Sequence, residues 1–86
     1  MTAFSNIRFK PSVKKDLRSI PQKEIVRILE IINGLQTNPR PNNAQPLTGR
    51  DAWRVRVGCY RVIYTIDDDS VIIEVVKVGH RKDVYR

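Results

Sequence analysis

Arg54, Arg56 and Arg61 lie within the stretch "WRVRVGCYRVIY" at positions 53–64, and no aspartate or glutamate interrupts it. In an extended chain Arg54 and Arg56 share a face. If Gly58-Cys59 forms a two-residue turn, Val57 faces Tyr60, Arg56 faces Arg61, Val55 faces Val62, Arg54 faces Ile63 and Trp53 faces Tyr64. Trp53, Val55, Val57, Tyr60, Val62 and Tyr64 then line one side of the hairpin, and the guanidinium groups crowd the other. Like charges directly opposite one another are unfavourable by about 0.2–1 kcal/mol, so a ligand is expected to offset the crowding. Guanidinium forks stay charged at every physiological pH and bind phosphate oxygens in pairs, which makes the face a candidate phosphate receptor. A solvated basic strand face is the plain alternative.

The C-terminal stretch "VVKVGHRKDVYR" adds Lys77, His80, Arg81, Lys82, Tyr85 and Arg86. Its strand neighbours the hairpin, so its end is expected to bring Arg81 and Tyr85 toward the arginine face. A frayed basic tail is the alternative for the last few residues. His80 has the intrinsic pKa, near 6.5, suited to acid–base work. As a lone histidine it is also a candidate for a purely structural place.

The elements that must position these groups are readable from period and punctuation. "SNIRFKP" alternates and stops at Pro11, which predicts a strand over residues 4–10. Pro11 and Pro21 each suit a first helical turn, and Ile25, Ile28, Leu29, Ile32 and Leu35 lay one apolar stripe along residues 21–36. Residues 37–50, "TNPRPNNAQPLTGR", hold three prolines and several turn formers, and predict a long loop that a partner or ligand could order. From residue 52 the period becomes two, with strands expected at 52–57, 60–66 and 71–78 and turns at Gly58-Cys59 and at Asp67 to Ser70. The expected fold is a single α+β domain spanning residues 1–86: an N-terminal strand, a two-helix hairpin, then a three-stranded antiparallel meander, with the helices on one face of the sheet.

Size and charge narrow the classes. Eighty-six residues suit one small domain that buries roughly 60–65% of its unfolded surface. Sixteen Lys and Arg against nine Asp and Glu give a net charge of +7, which draws the chain toward polyanions. "MTAFSNIRFK" does not resemble a secretory leader, and no apolar run approaches a membrane span, so a cytoplasmic location is expected. One Cys and one His do not make a zinc site, and no metal or other cofactor is expected.

Taken together, the loop carrying "PLTGR", the stretch "WRVRVGCYRVIY" and the terminal "VGHRKDVYR" resemble the RelE/ParE superfamily of type II toxins, nearer its RelE branch. The resemblance covers nearly the whole chain. It implies an mRNA interferase that enters the ribosomal A site, cuts the message there, and is held inactive by a cognate RelB-like antitoxin in a hetero-oligomeric complex. It also implies that Arg54 and Arg56 match the family's two basic residues on the first meander strand, and that Arg61, Arg81 and Tyr85 match its later arginines and terminal tyrosine. Members known for cleavage often carry lysine where this chain has Arg54 and Arg56, and some continue into a short helix beyond the tyrosine.

Cleavage of this kind has the RNA 2′-OH attack its neighbouring phosphate, leaving a 2′,3′-cyclic phosphate and a 5′-OH. A lysine can have its pKa lowered enough to act as base, but an arginine cannot. Arg54 and Arg56, with Lys77 and Lys82, are therefore expected to bind substrate, and Arg61 and Arg81 to stabilise charge in the transition state. Tyr85 and His80 remain the candidates for proton transfer; Tyr85 could instead stack on a base and orient the 2′-OH. Two rivals stand beside this reading: a ParE-like inhibitor of DNA gyrase, and a non-catalytic basic RNA-binding module. The antitoxin is expected to be acidic, covering the arginine face or displacing the C-terminal tail as it folds on binding.

Overall fold

The computed structural model describes residues 6–49, 51–70 and 72–80. Two helices cover one face of a five-stranded sheet. The elements run β1 (Ile7–Phe9), α1 (Pro11–Arg18), α2 (Gln22–Gly34), β2 (Gln45–Pro46), β3 (Trp53–Val57), β4 (Tyr60–Asp67) and β5 (Ile72–His80). Pro11 opens α1, where its missing N–H leaves nothing unsatisfied, while Pro21 sits one place earlier than expected, as the N-cap of α2.

The apolar stripe of α2 does what its spacing predicts. Ile28, Ile32 and Leu35 are fully buried against Val55, Val62, Tyr64, Val75 and Val78 of the sheet, with Ile25 and Leu29 packed at the margin. Val13 of α1 joins the same core. Full burial of one such aliphatic side chain contributes about 1.5–3 kcal/mol. The helical layer is thus fixed on the side of the hairpin that carries Trp53, Val55 and Val57.

Strand order across the sheet is β1-β5-β4-β3-β2. The meander β3-β4-β5 is antiparallel, and its hairpin register is the one deduced from the two-residue turn, from Val57 opposite Tyr60 to Trp53 opposite Tyr64. Gly58 takes a φ of 61°, and a Cβ placed there would meet nothing closer than 3.8 Å. Backbone conformation, not space, therefore calls for glycine at this turn.

Three features differ from the sequence-based expectation. β1 runs parallel to β5, with Ile7 opposite Ile73 and Phe9 opposite Val75, so the sheet is mixed and not wholly antiparallel. Alternation reports that a segment is extended and says nothing of its direction, which the helical crossover decides. β2 adds a fifth strand inside the stretch read as loop; two residues, one of them proline, show no period, and Pro46 is tolerated because β2 lies at the sheet edge. β5 also continues to His80, two residues beyond the expected end.

The loop before β2 is ordered by the protein itself. Tyr64 Oη, at the centre of the core, donates to the Pro39 carbonyl at 2.7 Å. Arg40 makes a bidentate pair with Asp68, at 3.2 and 3.0 Å, and its guanidinium lies 5.3 Å from the centroid of the Trp53 ring. At the other edge, Asp16 accepts hydrogen bonds from Lys77 Nζ at 3.1 Å and from the Val78 N–H at 3.2 Å. That carboxylate covers the length of β5 that extends past β1.

Candidate nucleic-acid interface

The arginines of the hairpin meet on the sheet face turned away from the helices. Arg56 stands directly opposite Arg61, and Arg54 one pleat along stands opposite Ile63. On its other side Arg61 faces Gly79, so β5 presents no side chain at that level. Arg56 is exposed and the other two are half-buried; Arg54 Nε and Arg61 Nε and Nη1 are closed off from solvent. Beneath the row, Ile63 and Ala52 are buried with Leu47 and Val76 against them, a small apolar floor over which arginine stems can lie. The β-bulge where Ile63 and Tyr64 meet β5 lets Val76 reach this floor.

Charge is segregated along the face. Glu74 stands opposite Arg8 and Thr65, and together with Asp51, Asp67, Asp68 and Asp69 it lines an open cleft of about 800 Å³ at the end far from Arg56. A polyanion on this face is attracted at the hairpin turn and repelled at the opposite end. At the turn itself Glu30 of α2 lines a smaller cavity with Arg56 and Arg27.

The structure divides the sequence-predicted site. Arg54, Arg56 and Arg61 are brought together. His80 is not with them: it pairs with Tyr60, whose side chain packs toward the helical layer, and it lines a cavity of about 410 Å³ with Asp16, Ser19 and Lys77. A strand residue adjacent to Gly79 necessarily points to the face opposite Gly79's, and Gly79 is the residue level with Arg61. Lys77 stands level with Ile63, but its ammonium is engaged by the half-buried Asp16 of α1. Arg81, Lys82, Tyr85 and Arg86 lie outside the described residues.

Two neighbours of the site were invisible in the sequence. Gln45 lies opposite Arg54 across β2 and β3, and its Oε1 accepts a hydrogen bond from Arg54 Nη2. Arg40 braces the segment that carries Gln45. Asp68, as the strongest partner, raises the Arg40 pKa further above its ordinary value, so this clamp stays ionised. Both residues sit in a stretch whose prolines signalled only loop.

The architecture and the basic face define a small α+β domain with a surface suited to a polyanion, and comparison with known proteins gives its family. The family model described as the ParE toxin of the type II toxin–antitoxin system parDE matches residues 7–85. A candidate toxin, RelE1, of Methanocaldococcus jannaschii is 34% identical over 85 residues, covering 94% of each chain. Toxin RelG of Mycobacterium tuberculosis is 29% identical over 82 residues, covering 93% of this chain and 94% of its own. The RelE–RelB complex of Pyrococcus horikoshii contains a chain that superposes with a TM-score of 0.80 at 29% identity, over 92% of this chain and 97% of that one. The chain belongs to the RelE/ParE superfamily of type II toxin–antitoxin toxins.

Proposed function

We propose that this toxin is a ribosome-dependent endoribonuclease that cleaves mRNA in the A site by attack of a 2′-OH on the adjacent phosphate. The observation that carries the reading is Arg56 directly opposite Arg61, with Arg54 one pleat away, on a face whose other end holds the cleft lined by Asp51, Asp67, Asp68, Asp69 and Glu74. In this reading Arg54 and Arg56 hold phosphates flanking the scissile bond, and Arg61 stabilises the charge that develops on the phosphorane-like transition state. Arg81 shares that stabilising role and Tyr85 serves as proton acceptor or base-stacking group, roles that rest on the family resemblance, while Lys82 is assigned to substrate binding from the sequence. His80 lies on the face toward α1, and Tyr85 is kept for proton transfer on the family resemblance alone.

Few conventional acid–base groups accompany the arginines, so free RNA is expected to be a poor substrate, and the ribosome supplies the orientation of the 2′-OH. The site of action is then the cytoplasm. An acidic RelB-like antitoxin is the proposed inhibitor, supported by the RelE–RelB complex among the structural relatives and by the charge of +7. Mapping transcript 5′ ends after induction tests the reading. Cuts within translated codons that vanish in Arg61→Ala are expected; an unchanged transcript map during growth arrest would overturn it.

The matching family model carries the ParE description, which favours a ParE-like gyrase inhibitor as the second reading. Purified toxin added separately to gyrase supercoiling and to programmed ribosomes distinguishes the two. Each predicts activity in one assay alone.

A further inference from the structure

A guanidinium that must grip one phosphate benefits from being fixed before the ligand arrives, because every rotamer frozen on binding subtracts about 0.5–1.5 kcal/mol from the affinity. Arg54 has a built support of this kind. Gln45 stands directly opposite it in the β2–β3 ladder, and the amide Oε1 accepts from Arg54 Nη2 while Arg54 Nε is enclosed. The chemistry of the acceptor is informative. A carboxylate at position 45 would hold the fork more strongly but would cancel its charge; an amide holds it without adding a negative charge to the site.

The support is itself braced. β2 follows a loop pinned by the Tyr64 hydroxyl on the Pro39 carbonyl and by Arg40 on Asp68 and over Trp53, and β2 pairs through Pro46 with that same Trp53. On its far side the Leu47 N–H donates to the Ala52 carbonyl at 2.9 Å. A two-residue strand on its own would be too short to hold a side chain in place. Anchored at both ends, it presents Gln45 at a fixed height on the arginine face.

We infer that Gln45 is a positioning residue for the phosphate site, acting through Arg54 to aim its guanidinium without neutralising it. The inference rests on the nucleic-acid reading of the arginine face. Its test is a double-mutant cycle read by binding of a short single-stranded RNA oligonucleotide to the purified chain at low salt. Gln45→Ala is expected to weaken binding by roughly three- to tenfold, the range of one side chain left to be frozen on binding, and to have no effect in an Arg54→Ala background. Gln45→Glu is expected to bind RNA more weakly than Gln45→Ala and with a shallower salt dependence, because its carboxylate takes one cation out of the interface.

Equal losses in the two backgrounds, or an affinity untouched by Gln45→Ala, would overturn the inference. Nitrogen NMR of the Arg54 side chain supplies a readout independent of RNA: slow guanidinium rotation in the wild type and fast rotation in Gln45→Ala are expected, and identical signals reject the contact. An oligonucleotide that fails to bind even the wild type removes the nucleic-acid reading, and the NMR comparison then decides the positioning of Arg54 alone.

Discussion

Tyr60 and His80 meet edge to face across β4 and β5, with ring centroids 5.8 Å apart and planes at 82°, on the side of the sheet that faces α1. The contact commits the lone histidine to the opposite face from Arg61. Replacing His80 by Gln is therefore expected to change transcript cleavage far less than Arg61→Ala, which should lower it by about 10²–10³. Primer extension from induced cells measures both. A His80→Gln defect as deep as that of Arg61→Ala would return the histidine to the reacting centre.

The pairing of Arg56 with Arg61 predicts how binding responds to salt. Each arginine that contacts a phosphate of a single strand contributes about 0.7 to the slope of log affinity against log salt. Arg54→Ala and Arg56→Ala should each remove about that much, whereas Lys77→Ala, whose ammonium is engaged by Asp16, should leave the slope unchanged. Titrations at several salt concentrations report the slopes.

Tyr64 predicts an alkaline limit to stability. Its burial pushes the phenol up to about 12 in the folded chain, against about 10 when unfolded. The folded state thus holds its proton more tightly, so this contribution is complete below pH 10 and is lost as pH rises toward 12. Tyr64→Phe is expected to be less stable than the wild type by about 1 kcal/mol at pH 7, through the lost bond to Pro39, and the gap should narrow between pH 10 and 12. Urea denaturation at pH 7 and pH 11.5 checks the sign.

Arg40 predicts a local effect that an intrinsic fluorophore reports. Trp53 is the only tryptophan of the chain, and the Arg40 guanidinium covers its ring. Arg40→Ala should shift its emission to longer wavelength and speed amide exchange at Leu47 while leaving the exchange of Val62 unchanged. Uniformly faster exchange would show that the clamp supports the whole fold and not the loop alone.

Much of this architecture was legible in residue order. The steps of three and four from Ile25 to Leu35 fixed which side of α2 is buried, and the Gly58-Cys59 turn fixed the register that sets Arg56 against Arg61. Both are local relationships, in which the period of a side-chain pattern is the period of the backbone that carries it. β2 escaped because two residues have no period, and the loop escaped because its anchors, Asp68 and Tyr64, lie more than twenty positions away.

Composition and spacing alone determined a basic α+β domain with three arginines on one sheet face. The direction of β1, the placing of His80 behind the sheet, the diversion of Lys77 to Asp16 and the seating of Gln45 beside Arg54 were decided only on folding. Each depends on contacts between segments distant in the chain, or on the true end of a strand. Such contacts follow from how the layers close around the core, which no local pattern encodes.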